Sequence, residues 1–118
     1  MTQTLESIAQ EYFRAWKAKD FAALRSLLDD GATFRGPLGS AAGAEECVQG
    51  LIGMSQIVTD IVIQKIFVDQ ADVLTWYDLH TSAAPPLPTA NWSHIENGKI
   101  TAIRATFDPR PLTSNNGR

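Results

Sequence analysis

The chain changes its hydrophobic period once, near residue 55. Before that point apolar residues recur every three or four positions. Leu5, Ile8, Ala9, Tyr12, Phe13 and Trp16 share one face of an amphipathic helix spanning about residues 4–18. Asp20 has the side chain of an N-cap and opens a second, short helix with Phe21, Leu24, Leu27 and Leu28 on one side. Asp29-Asp30-Gly31 ends that helix, with Gly31 suited to a left-handed position. Ala32–Arg35 reads as a short strand, which Gly36-Pro37-Leu38-Gly39 breaks. A third helix follows over residues 43–55. Its face is Cys47, Val48, Leu51 and Ile52, and Glu45 and Glu46 suit the positive end of its dipole.

After Ser55 the period falls to two. Residues 57–68 form a long strand with apolar groups on both faces, and Asp69-Gln70-Ala71-Asp72 is its hairpin turn. The next strand covers residues 72–82. Three prolines within 83–88 mark a loop or an edge irregularity. Strands over 89–96 and 99–107 are joined by Asn97-Gly98, the pair that favours a type I′ turn. Residues 113–118 are polar and read as a frayed tail after a single domain over 1–112. Helices grouped before a run of hairpin-linked strands predict an α+β fold with an antiparallel sheet.

Composition narrows the function. With 118 residues, 44% hydrophobic and 19% charged, the chain has the balance of one globular domain. A net charge of −3 argues against nucleic acid as a partner. No apolar run approaches the roughly 18 residues of a membrane span. The start of the chain lacks the basic and apolar segments of a signal peptide, so a cytoplasmic location is the default expectation. The one cysteine, Cys47, has no internal disulfide partner.

The stretch Trp76-Tyr77-Asp78-Leu79-His80 carries the most chemistry. Alternation puts Leu74, Trp76, Asp78, His80 and Ser82 on one face, and Val73, Thr75, Tyr77, Leu79 and Thr81 on the other. Periodicity does not say which face is inside. In a cavity, Asp78 would be a candidate acid or base with His80 one pleat away; toward water, the pair would be an ordinary polar face. His94 falls opposite Asn91, Ser93 and Ile95, on the outer face with Trp92. Arg104 falls opposite Ala105 and Phe107, outward and with an acid partner. The two histidines and Asp78 lack the convergence of a metal site.

Several passages resemble the nuclear transport factor 2-like superfamily, in its SnoaL-like branch of polyketide cyclases, ketosteroid isomerases and limonene epoxide hydrolases. They are Tyr12-Phe13 ahead of Asp20-Phe21, then Asp29-Asp30-Gly31-Ala32-Thr33, Gly36-Pro37, and Glu96-Asn97-Gly98-Lys99-Ile100 through Arg104-Ala105-Thr106-Phe107-Asp108. The resemblance covers about residues 5–111. It implies a cone-shaped curved sheet wrapped around the three helices, with a pocket at the wide end, and homodimers packed through the outer sheet face. Tyr12 falls where ketosteroid isomerases keep an oxyanion-donating tyrosine, an enzyme long used to illustrate pKa tuning. Their aspartate base falls at Gly36 and their second donor at Asn91. The Arg-x-Asp pair of limonene epoxide hydrolases reads Trp76-Tyr77-Asp78. Their last-strand aspartate falls at Ala105, and their water-holding tyrosine and asparagine fall at Phe34 and Gly36.

The resemblance thus turns Trp76, Asp78 and His80 toward the pocket. It implies an enzyme doing isomerase, cyclase or hydrolase-type acid/base chemistry on an apolar small metabolite, with no cofactor and no metal. Asp78, His80 and Tyr12 are its catalytic candidates; Trp76, Asn91, Phe34, Trp16 and Phe107 its substrate-binding ones. The lost polar groups at Phe34, Gly36 and Ala105 leave the alternative of a non-catalytic ligand-binding or dimeric accessory domain.

Overall fold

A computed structural model describes residues 4–113. Helix α1 (Leu5–Lys17) starts at Thr4, whose hydroxyl accepts from the Ser7 amide while Ser7 Oγ accepts from the Thr4 amide, a reciprocal cap. Asp20 caps α2 (Phe21–Leu27) by accepting from the Ala23 amide. Strand β1 (Leu28–Gly36), strand β2 (Gly39–Ala42) and helix α3 (Ala44–Ser55) follow. The long strands are β3 (Val58–Asp69), β4 (Asp72–Thr81), β5 (Leu87–Glu96) and β6 (Lys99–Thr106), and a single helical turn, α4 (Arg110–Thr113), comes last.

The six strands form one curved, unclosed sheet in the order β2-β1-β6-β5-β4-β3. β1 runs parallel to β6 and the other pairings are antiparallel, so the sheet is mixed and not purely antiparallel. The parallel pair arises because β1 reaches its place beside β6 without a hairpin. The helices lie on the concave face, where Ile8, Tyr12 and Phe13 of α1 meet Val73, Tyr77 and Leu79 of β4 in one buried core.

Several local expectations change. Leu28 ends the apolar face of α2 but belongs to β1, and Asp29-Asp30-Gly31 is strand. Gly31 has no left-handed φ; the Asp29 carboxylate accepts its amide, and the ladder to β6 shifts register between Leu28 and Thr33. Gly36–Gly39 closes a tight hairpin into β2, which the sequence reading had missed. Pro88 lies inside β5, opposite Asp78, and α4 follows the final strand. The turn at Asn97-Gly98 has positive φ at both residues, 52° and 76°, as a type I′ turn requires. The tail expectation falls mostly on residues 114–118, outside the described residues.

Candidate functional site: a neutral cavity in the cone

Curvature leaves a cavity of about 510 Å³ between the concave face, α1 and α3. Its deep wall comes from Tyr12 and Trp16 of α1, Cys47 and Leu51 of α3, Tyr77 and Leu79 of β4, and Asn91 of β5. Phe34, Ala105 and Phe107 close one side. The Gly36–Ala41 hairpin, Met54 and Ile57 also line it. Trp16 is fixed by its indole N–H, which donates to the Leu51 carbonyl at 2.9 Å.

Besides Ser40 in the hairpin, three polar side chains interrupt this apolar lining. Tyr12 is 1% exposed and its hydroxyl has no hydrogen-bond partner among the described residues. No fully covered side-chain oxygen or nitrogen lacks a partner, so the Tyr12 hydroxyl must open onto the cavity. Tyr77 is 2% exposed and packs its ring on Phe13, with centroids 4.8 Å apart. Burial pushes the Tyr12 phenol well above its ordinary range, and the nearby Tyr77 and Cys47 add to the effect. Burial likewise raises Tyr77, opposed by the Asn91 side chain. Both phenols therefore remain protonated donors throughout the neutral range. Asn91 Oδ1 accepts from Ser93 Oγ at 3.2 Å, and its N–H₂ side is directed at the Tyr77 hydroxyl, where it opposes the effect of burial.

Trp76, Asp78 and His80 do not reach this cavity. Their strand alternates with Val73, Thr75, Tyr77 and Leu79 buried, while Trp76 is 43% exposed on the convex face. Asp78 accepts there from Gln64 Nε2 at 3.0 Å, and His80 lies opposite Asp60 in the β3–β4 ladder. The inward orientation expected for these three is therefore corrected. Side chains on a strand alternate with a period of two, so a displacement of one residue in aligning this strand with relatives reverses its faces. The helices settle the direction, because the cost of burying Asp78 and His80 exceeds that of burying Tyr77 and Leu79.

The remaining candidates, Tyr12, Asn91, Phe34, Trp16 and Phe107, all line the cavity. Sequence reasoning missed Tyr77 and Leu79 as wall residues. The signal was present: the set Val73, Thr75, Tyr77, Leu79 contains no charge. His94 is outward as expected, held by Asp72 at 2.7 Å and Glu96 at 2.8 Å beside Trp92. Arg104 is outward too, yet among the described residues it forms no ion pair with an acid. None of the residues lining the cavity is an Asp, Glu, His, Lys or Arg. Among the described residues, no group of three or more His, Cys, Asp or Glu side chains is placed to hold a metal ion.

A curved mixed sheet around three helices, with a cavity inside the cone, defines the NTF2-like class of α+β proteins. Within it, the SnoaL-like domain model matches residues 9–103, and the chain belongs to that family. It is similar to an NTF2-like protein of unknown function from Cytophaga hutchinsonii (28% identity, covering 95% of this chain and 96% of that one, TM-score 0.82). A protein from Kribbella flavida is also 28% identical, with 97% and 93% covered and a TM-score of 0.87. An epoxide hydrolase of the LEH-like type from M. tuberculosis shares the fold at 20% identity, with 93% and 86% covered and a TM-score of 0.78. No curated protein matches the chain. The family includes isomerases, cyclases and epoxide hydrolases. No described helix is long and apolar enough to cross a membrane.

Proposed function

We propose that this chain is a small-molecule-binding domain whose cavity takes a largely apolar ligand bearing a neutral hydrogen-bond acceptor such as a ketone. One observation carries the reading: the cavity has an apolar lining, no ionisable acid, base or cation of the neutral range, and a small group of buried polar side chains in Tyr12, Tyr77 and Asn91, with the Tyr12 hydroxyl opening onto it. A donor that opens onto the cavity can give a carbonyl oxygen one hydrogen bond, a net contribution of about 0.5–1.5 kcal/mol. A carboxylate or an ammonium group would enter without a countercharge, which is far more expensive.

The donor set also favours a second reading, the enzymatic one. Donors aimed at one oxygen stabilise negative charge as it develops there. A reaction of that kind needs a base, and Asp78, on the convex face, does not supply it. The proton would pass to a water or to a group on the substrate itself. Binding is therefore the primary reading.

The experiment is ligand-observed NMR with 1-tetralone and its hydrocarbon counterpart tetralin, followed by long incubation and mass analysis of compounds recovered from a metabolite extract. Saturation transfer to the ketone, lost in Ala105→Trp, which fills the cavity, is the expected outcome. A ligand recovered unchanged supports binding; a new product supports the enzyme. No transfer to any apolar ketone while thermal melting is normal sinks both.

A further inference from the structure

Cys47 lines the same cavity and has no part in holding a ketone there. A buried cysteine usually serves as a small packing residue. This one is fixed in place but only weakly held at its sulfur. Its amide donates to the Gly43 carbonyl at 3.0 Å, which sets the backbone at the start of α3. The thiol, a weak donor, reaches the Ala32 carbonyl at 3.5 Å. That carbonyl also accepts from the Gly43 amide at 2.8 Å. Loss of the sulfur's proton therefore orphans no buried acceptor.

The second observation is the Tyr12 hydroxyl, buried, without a protein partner among the described residues, and open to the cavity. Thiol and phenol share that space, close enough for the sulfur to add to the upward push on the phenol. A donor for a carbonyl oxygen beside a nucleophilic sulfur is the pair that addition to an enone needs. An α,β-unsaturated ketone carries its acceptor oxygen and its electrophilic β-carbon on one rigid conjugated unit. With the oxygen on Tyr12, that carbon stays in the same enclosed space as Cys47. No lysine, the other common nucleophile toward enones, lines the cavity.

From this arrangement we infer that Cys47 captures α,β-unsaturated ketones as a covalent thioether, with the Tyr12 hydroxyl holding the carbonyl oxygen. Such capture deepens the ketone-binding role of the cavity and depends on it. The step balances without oxidant or cofactor. The thiol proton leaves to water. A sulfur electron pair forms the C–S bond at the β-carbon, and the C=C π pair moves toward the carbonyl oxygen. The resulting enolate oxygen accepts from Tyr12. Water returns a proton to the α-carbon, so the net change is addition of S–H across the double bond. Burial, with Glu46 adding to it, pushes the Cys47 thiol up. The sulfur is thus protonated in the neutral range and slow toward reagents that do not dwell in the cavity. Selectivity comes from residence beside it.

The test is intact-mass spectrometry of the full chain with freshly prepared 2-methylene-1-tetralone, beside its saturated counterpart 2-methyl-1-tetralone. The chain has one cysteine, so the enone should add once, by the whole mass of the probe, and peptide mapping should place it on Cys47. Cys47→Ala should give no adduct. Excess 2-methyl-1-tetralone should slow the reaction in proportion to its occupancy, a control that needs no variant. Tyr12→Phe should slow the covalent step at saturating enone about tenfold or more, beyond its smaller effect on the half-saturating concentration. Thermal melts check that both variants are folded. No adduct, while 2-methyl-1-tetralone shows saturation transfer, overturns the capture and leaves the ketone-binding reading standing. No transfer from the saturated ketone overturns that reading and the capture with it. An adduct that the saturated ketone does not slow overturns the role of the cavity, and an unchanged covalent rate in Tyr12→Phe overturns the role of the hydroxyl.

Discussion

Removing the Tyr12 hydroxyl with Tyr12→Phe separates a ligand-facing donor from a structural one. The ring has its own reasons to stay. It stacks edge-on to Phe13 with centroids 4.9 Å apart, and lies 6.5 Å from Trp16. The hydroxyl has no protein partner among the described residues, so its loss orphans no buried group. Thermal stability should therefore change by less than about 0.5 kcal/mol, the scale of a substitution that breaks no named interaction. Binding should respond differently. One neutral hydrogen bond contributes about 0.5–1.5 kcal/mol, which corresponds to a loss of about 2- to 12-fold in Kd. The loss should be confined to the ketone, because tetralin has no acceptor. Titration calorimetry on both ligands, beside melts of the two proteins, reads each quantity. Burial holds the phenol protonated, so the ketone affinity should also be flat across the neutral range. A sharp fall in melting temperature, or an equal loss for ketone and hydrocarbon, refutes the reasoning.

The convex placement of Asp78 predicts that Asp78→Asn leaves ketone affinity in the cavity unchanged, measured by the same titration; a severalfold loss would mean that its carboxylate acts on the cavity after all. His94 gives a pH dependence. Its hydrogen bonds to Asp72, then Glu96, raise its folded-state pKa above the ordinary value of 6.5. A raised value adds stability that is full below the unfolded pKa and disappears as pH rises through the folded one. Melts collected from mildly acidic to mildly alkaline pH should fall across that window in the wild type, and His94→Gln should flatten the change.

Much of the fold was legible in the residues. The single switch of hydrophobic period separated helices from sheet, and Asn97-Gly98 located a hairpin, because both signals act within a few residues. The β1 region was not. Leu28 continues the helical face of α2 in sequence, yet pairing with Ile100 in β6 recruits it into the sheet. That competition is decided by a strand more than seventy positions away. β2 escaped for a similar reason: Gly-Ser-Ala-Ala has no strand character of its own, and only β1 makes it one.

The cavity divides the same way. The sequence by itself determined its materials: a tyrosine and a tryptophan on the helix stripe, the aromatics Phe34 and Phe107, and Asn91 on a strand face with Ser93. It also determined that Asp78 and His80 share a face opposite Tyr77 and Leu79, since a period of two is built into the extended backbone. What it left open was which of those two faces meets the helices. Only packing decided that. Tyr77 against Phe13 buries an aromatic pair without stranding a charge, whereas the opposite choice would bury a carboxylate and an imidazole. Tertiary structure thus placed the donors inside and the carboxylate outside.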